Sequence, residues 1–241
     1  MAGTVRLLDF FKHFKGEPHQ MAAVEQLQAA MPQSLLQADT PWVETFRAAP
    51  KAKDPLIPPK QQSGALLKVP YFSQRDSTVA GQASRMCFSS SCAMLLAYLK
   101  PGAISGAAAD DQYLKRVLTF GDTTDAGAQL KALASYGIKA RFVQNASFDT
   151  LEQQLRLGRP VACGFLHHGP VTKPSGGGHW LAVIGFTDKA FIVNDPWGEM
   201  DLINGTYLNT KGAGIAYSRK NWGPRWMVEG SGTGWAILAE V

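Results

Sequence analysis

Apolar positions recur every three or four residues along the first part of the chain. Leu7, Phe10, Phe11 and Phe14 share one helical face before Gly16, and Pro18 stands where a first helical turn tolerates proline. Met21, Val24, Leu27 and Met31 carry such a face on to Pro32. Thr40 as a cap with Pro41 behind it predicts a third short helix presenting Trp42, Val43 and Phe46. The pattern then breaks into a proline-rich stretch with few residues to bury, which predicts a linker over residues 50–65. An N-terminal helical region (1–49) is thereby set apart from one larger domain (66–241).

In that larger domain the period changes along the chain. Residues 67–72 read as a short extended opening, and 88–99 as an apolar helix ended by Lys100-Pro101-Gly102. Helices follow over 111–118 and 125–136, the second with Thr124 as cap and Gly137 as stop. Residues 138–143 alternate like a strand, and Ser147 caps a helix that ends at Gly158. Strands are predicted over 161–166, 180–186 and 190–193, the last two joined by a tight Thr187-Asp188-Lys189 turn. Asn204-Gly205 signals a further hairpin, and 234–241 a final strand. Helices followed by an antiparallel sheet make an α+β fold.

Composition narrows the class. The chain has 241 residues, 45% hydrophobic and 18% charged, enough to build a sizeable core. No run of about 18 apolar residues occurs, and charges interrupt the apolar positions of the first fifteen residues, so neither a stable membrane insertion nor a secretion signal is expected. Three cysteines, at 87, 92 and 163, do not form a disulfide framework. A net charge of +5 suits an anionic partner such as cell wall. The basic residues are dispersed with no run of five, so a nucleic-acid partner is not expected. No Cys/His spacing fits zinc, and His167 and His168 are expected on opposite faces of a strand end; no metal or cofactor is expected.

Three short stretches carry chemistry. Cys87 heads the apolar helix, where the partial positive charge of a helix N-terminus favours thiolate. His179 follows three glycines and opens a buried strand. Asp195 lies in Asn-Asp-Pro-Trp-Gly at the end of the next strand, and the tight turn between the two strands makes His179 and Asp195 neighbours. A thiol, an imidazole and a carboxylate are the nucleophile, base and orienting group of a cysteine hydrolase. Asn194 is an alternative orienter, because strand alternation lets one of the two point at His179. Backbone N–H groups at Cys87 plus a side-chain amide can hold an oxyanion, with Gln74 the first choice and Gln82 the second.

These residues resemble a known family, the papain-like cysteine peptidases related to the peptidase domain of double-glycine leader bacteriocin exporters. The resemblance spans about residues 66–200. It rests on Val69 to Gln74, Cys87 with Met94, Gly178-His179-Trp180 and Asp195-Pro196-Trp197-Gly198, in that order. It implies a papain-like fold with Cys87 as nucleophile, His179 as base, Asp195 as orienter and Gln74 as oxyanion donor. One departure stands out: the family has Cys-Gly-Pro at the nucleophile, and this chain has Cys87-Phe88-Ser89, where Ser89 is expected to cap the helix. The segment from Ala216 through Trp222 and Trp226 resembles tailed-phage members found in lysis or virion-associated proteins. That resemblance implies cleavage of the peptide part of peptidoglycan, reached from the host cytoplasm or within the particle, with the N-terminal helices as a contact to other virion proteins. Gly176 to Gly178 and the segment bearing Trp222, Trp226 and Trp235 are expected at the cleft rim. The rival expectations are a peptidase that processes a protein and a virion component that keeps the fold without turnover.

Overall fold

Short polar side chains start the helices and glycines end them. Ser147 accepts the N–H of Thr150 while the Thr150 hydroxyl accepts the N–H of Ser147, a complete capping box, and Gly158 (φ +74°) closes the far end of the same helix. The helix after Gly121 is capped by Asp125, whose carboxylate accepts the Gly127 N–H at 2.7 Å. The expected cap, Thr124, instead bonds Asp122. Gly137 (φ +83°) stops this helix as anticipated.

The computed structural model describes residues 18–32, 34 and 64–240, and the chain divides into two units, residues 1–60 and 61–241. In the first unit, helix α1 (Pro18–Ala30) opens at its proline, with Met21 and Val24 partly buried and Glu25 and Gln26 exposed. The helices anticipated over 7–14 and 40–46, and most of the linker, lie outside the described residues.

The second unit places three helices and a sheet around the site. Its elements are β1 (Gly64–Leu66), α2 (Cys87–Leu99), α3 (Ala109–Val117), α4 (Ala126–Ser135), β2 (Ala140–Ala146), α5 (Phe148–Arg156), β3 (Val161–His168), β4 (Ser175–Thr187), β5 (Ala190–Asn194), β6 (Glu199–Asp201), β7 (Thr206–Asn209), β8 (Ile215–Ser218), α6 (Arg219–Trp226) and β9 (Gly234–Ala239). Seven strands pair antiparallel in the order β2-β9-β3-β4-β5-β8, with β1 against β4; β6 and β7 form a separate hairpin. Strand β4 is long because two partners share one of its edges: β3 covers Ser175 to Val183 and β1 continues from Gly185 to Thr187.

Apolar residues fill both faces of the sheet. On one face α2, α3 and α4 enclose Cys92, Met94, Leu96, Tyr113, Val117 and Leu133, packed against Trp180, Ala182 and Ile184 of β4. On the other, Leu181 and Val183 of the same strand meet Phe165, Phe191, Leu151 and the rings of Trp222 and Trp226. The two indoles are fully buried and stack at 5.0 Å with a 5° interplanar angle. Trp222 is core rather than cleft rim, while Trp226 also lines a pocket together with Gly178 and Trp235. Of the three tryptophans expected at the rim, Trp235 is the exposed one, at 48%.

Candidate active site

Cys87 is the first residue of α2 and is 9% exposed. Met86 before it makes no side-chain cap, so the N–H groups of the first turn keep no side-chain partner and the positive end of the helix lies at the sulfur. Ser89 does not cap. It sits inside the helix, its hydroxyl 2.7 Å from that of Thr123 and accepting from Gln129 Nε2 at 2.8 Å. Phe88 accounts for the rest of the Cys-Phe-Ser departure: its ring lies flat on Trp180, centroids 3.5 Å apart and 4° from parallel. Helix α2 is thereby stacked at its start onto the residue that follows His179.

His179 is the fifth residue of β4, not its first, because the preceding glycines belong to the strand. Its Nε2 is 2.7 Å from Asp195 Oδ1, and the Cys87 sulfur is near enough to act on its charge. With Nε2 engaged by the carboxylate, Nδ1 is the nitrogen left for the sulfur. Asp195 is fully buried and saturated: Oδ1 also accepts the Trp197 N–H (3.0 Å), and Oδ2 accepts the Tyr217 hydroxyl (3.1 Å). Its backbone N–H donates to Gly212 O, and Gly212 approaches so closely that any Cβ there would strike the Asp195 carbonyl.

Burial pushes the His179 imidazole toward the neutral form. The Asp195 charge, the Cys87 sulfur and the hydrogen bond to Asp195 outweigh it and raise the pKa from 6.5 to about 10. The other two thiols lack such partners. Burial alone drives Cys163 well above the ordinary value, and it drives Cys92 up against a small opposing hydrogen bond from Tyr113.

A bulge selects Asp195 over Asn194. In the β4–β5 ladder Phe186 pairs with Phe191 and Gly185 with Ile192, but Val183 pairs with Val193, so Ile184 is an extra residue. Without it His179 would share a face with Asn194. With it His179 lies on the face of Phe191, Val193 and Asp195. Asn194 turns to the other side, donating to the carbonyls of Val69 and Pro70 and accepting the Gly214 N–H.

Gln74 is 1% exposed in a short 3-10 turn that Ser73 caps, anchored by its N–H on Pro196 O (3.0 Å). One Nε2 hydrogen goes to Ala83 O at 2.9 Å, and an amide nitrogen carries a second. Gln82 meets the same loop through its backbone carbonyl, which accepts the N–H groups of Arg85 and Met86. Its buried Oε1 has no partner, and neither has that of Gln74; each amide also carries an Nε2 donor.

Three residues at the site were not anticipated. Tyr217 supports Asp195 from β8, a strand that the sequence pattern left out. Tyr207 of β7 stands edge-on to His179, ring centroids 5.9 Å apart. His167 stacks on His179 at 5.1 Å and 12°. The signal for His167 was available: Phe165 lies opposite His179, and alternation from Phe165 returns His167 to the same face. Nor do the rings of His167 and His168 face opposite ways; their centroids are 4.0 Å apart. A pocket of about 280 Å³ is lined by Phe165, Gly178, Trp180, Val228, Glu229 and Trp235, among others; it takes in the residues on either side of His179 in β4, while neither His179 nor Cys87 lines it.

A thiol at a helix start, facing an imidazole held by a carboxylate from an antiparallel sheet, defines the papain-like cysteine peptidase class, and this is the fold of the chain. It is shared with a protein described as a C39-like peptidase from Bacillus anthracis, at 15% identity and TM-score 0.51, covering 74% of this chain and 98% of that one. The peptidase domain of Streptococcus ComA, a bi-functional ABC transporter, is 16% identical with a TM-score of 0.43 (65% and 91% covered). A Carica candamarcensis cysteine protease solved with E-64 is 12% identical with a TM-score of 0.43 (73% and 97% covered). A search of the curated proteins finds no match. The model of the Peptidase_C39 like family matches residues 66–218, and the chain belongs to that family.

Proposed function

We propose that this protein is a cysteine endopeptidase. The observation that carries the reading is the buried relay from Cys87 through His179 to Asp195, with Nε2 to Oδ1 at 2.7 Å. Cys87 thiolate attacks the carbonyl carbon and the carbonyl electron pair moves to oxygen. The Cys87 N–H and the second Nε2 hydrogen of Gln74 hold that oxyanion. His179 gives its proton to the leaving nitrogen as the C–N bond breaks, then takes one from the water that hydrolyses the thioester. Asp195 keeps the imidazole oriented throughout.

For the substrate, the first reading is the peptide of peptidoglycan, in a phage lysis or virion-associated role. The net charge of +5 supports it through attraction to an anionic wall, and the segment after Ala216 supports it through its likeness to phage members. Under this reading the N-terminal region contacts other virion proteins. A second reading, a peptidase that processes a protein, is favoured by the pocket that includes the β4 neighbours of His179: its Phe165, Trp180, Val228 and Trp235 walls suit a large apolar side chain of a polypeptide. Purified peptidoglycan and a panel of unstructured peptides with aromatic or aliphatic residues, each digested by wild type and Cys87→Ala, test both. Mass spectrometry of Cys87-dependent new amines from wall supports the first, and from apolar peptides the second. New amines from neither would overturn the endopeptidase.

A further inference from the structure

His179 is enclosed on more sides than a nucleophile, a base and an orienting carboxylate require. His167 of β3 lies face to face with it, and Tyr207 of β7 stands edge-on to both rings, 6.0 Å from His167 and 5.9 Å from His179. His167 Nδ1 and the Tyr207 hydroxyl are 3.2 Å apart. Phe165 closes another side of His179, edge-on at 5.5 Å. The backbone around His167 is also pinned. Buried Arg225 donates to the carbonyls of Leu166 (3.2 Å), His168 (3.1 Å) and Gly169 (2.7 Å), and to Leu202 (2.7 Å) next to the β6–β7 hairpin that bears Tyr207. One guanidinium thus ties together the two elements that supply the stack.

We propose that His167, hydrogen-bonded to Tyr207, is a positioning residue for His179, holding the imidazole ring between the Cys87 sulfur and the Asp195 carboxylate. The inference rests on the peptidase reading above and concerns a side chain outside its relay. Two soft torsions let a histidine ring swing, and the single hydrogen bond from Nε2 to Asp195 leaves rotation about it open. A parallel ring packed on one face removes that freedom, and the Tyr207 hydroxyl fixes the packing ring in turn. An aromatic face against an imidazolium is also attractive, as any ring face is to a cation. This demands that His167 be uncharged. Burial, followed by the charges of His179, His168 and Arg225, pushes its pKa down to about 3, so it is neutral wherever the enzyme is folded and working. The titratable groups facing His179 are Cys87 from α2, Asp195 after β5, His167 from β3 and Tyr207 from β7, and those facing His167 are His179, His168, Tyr207 and Arg225 from α6.

The test follows the rate of Cys87 alkylation by iodoacetamide against pH in the full-length protein, with kcat and KM on any substrate identified above. His167→Ala is expected to slow alkylation between pH 6 and 8 by about tenfold, and to lower kcat with KM unchanged, because a misplaced base costs reaction geometry rather than binding. His167→Phe keeps a flat neutral ring and is expected within about threefold of wild type, a rescue that a simple loss of fold would not give. Tyr207→Phe removes one hydroxyl and is expected to slow the reaction about threefold. If His167→Ala does not fold, His167→Phe and Tyr207→Phe decide. A wild-type rate in Tyr207→Phe, or a slowing of about tenfold or more in His167→Phe, would overturn the positioning role. A wild-type Cys87 that alkylates no faster than a free thiol would instead overturn the relay itself.

Discussion

Helix α2 buries two cysteines, one at its start and one near its middle, and gives them different partners. Cys92, in the core with α3 and α4, is fully enclosed with Tyr113 near it, and burial pushes its thiol up and out of reach of deprotonation. Cys87, one and a half turns earlier, stands in a seam of partners: the open helix start, His179, and Asp195 beyond. The histidines repeat the contrast at closer range. His167 and His179 stack at 5.1 Å, yet one is pushed down to about 3 and the other up to about 10, because the carboxylate reaches only the second. Burial sets the size of the penalty on a charge, and the partner sets its sign.

The sharpest way to break this comparison is to exchange the thiols' fates. Cys87→Ala is expected to abolish thiol chemistry, with activity falling by about 10³-fold or more, as for other nucleophile losses in a relay. Cys92→Ala is expected to keep the rate and cost about 1 kcal/mol of stability, seen as a lower urea midpoint. Next in size is the carboxylate. Asp195→Asn is expected to lower kcat by about 10²- to 10⁴-fold, since an amide can hold the ring in the wrong tautomer and cannot stabilise the imidazolium. Phe88→Ala, which removes the plate stacked on Trp180, is expected to cost about 3–5 kcal/mol in denaturant unfolding.

The smallest effect reads the two histidines through stability. His179 has its pKa raised on folding, so its stabilising contribution is complete below about pH 6.5 and is lost as pH rises toward about 10. His167 has its pKa depressed, so the folded state loses stability as pH falls from 6.5 toward about 3, where the unfolded chain binds the proton that His167 refuses. Urea unfolding of His167→Phe at a series of pH values is expected to show a shallower loss on acidification than wild type. Parallel curves would remove His167 from the contrast.

Much of the site was legible because it rests on local signals. A cysteine opening an apolar helix, a Gly-Gly-Gly-His before a buried strand and an Asn-Asp-Pro-Trp-Gly turn after the next strand each announce themselves within a few residues. The tight Thr187-Asp188-Lys189 turn was enough to bring the last two together. What escaped depended on register or on distant pairing. The short strand β8, and with it Tyr217, has little alternation of its own and exists because β5 offers an edge. Trp222 and Trp226 look like exposed binding residues in a polar, glycine-containing segment, and the second face of the sheet buries them. Ser89 had the residue type of a cap and is taken by Thr123 and Gln129.

By itself, the sequence determined the extents of helices α2, α4 and α5 to within a residue or two, the antiparallel hairpin and the identities of Cys87, His179 and the Asn194-Asp195 pair, because capping, turn chemistry and alternation act over a few residues, whereas helix α6 escaped it. Only the tertiary structure decided which of that pair meets the imidazole. A single extra residue, Ile184, shifts the β4–β5 register by one and exchanges the faces of the strand's site end. No short-range pattern encodes a bulge, since it arises where β1 and β5 press on the same stretch of β4 and the core on each face accepts only one register.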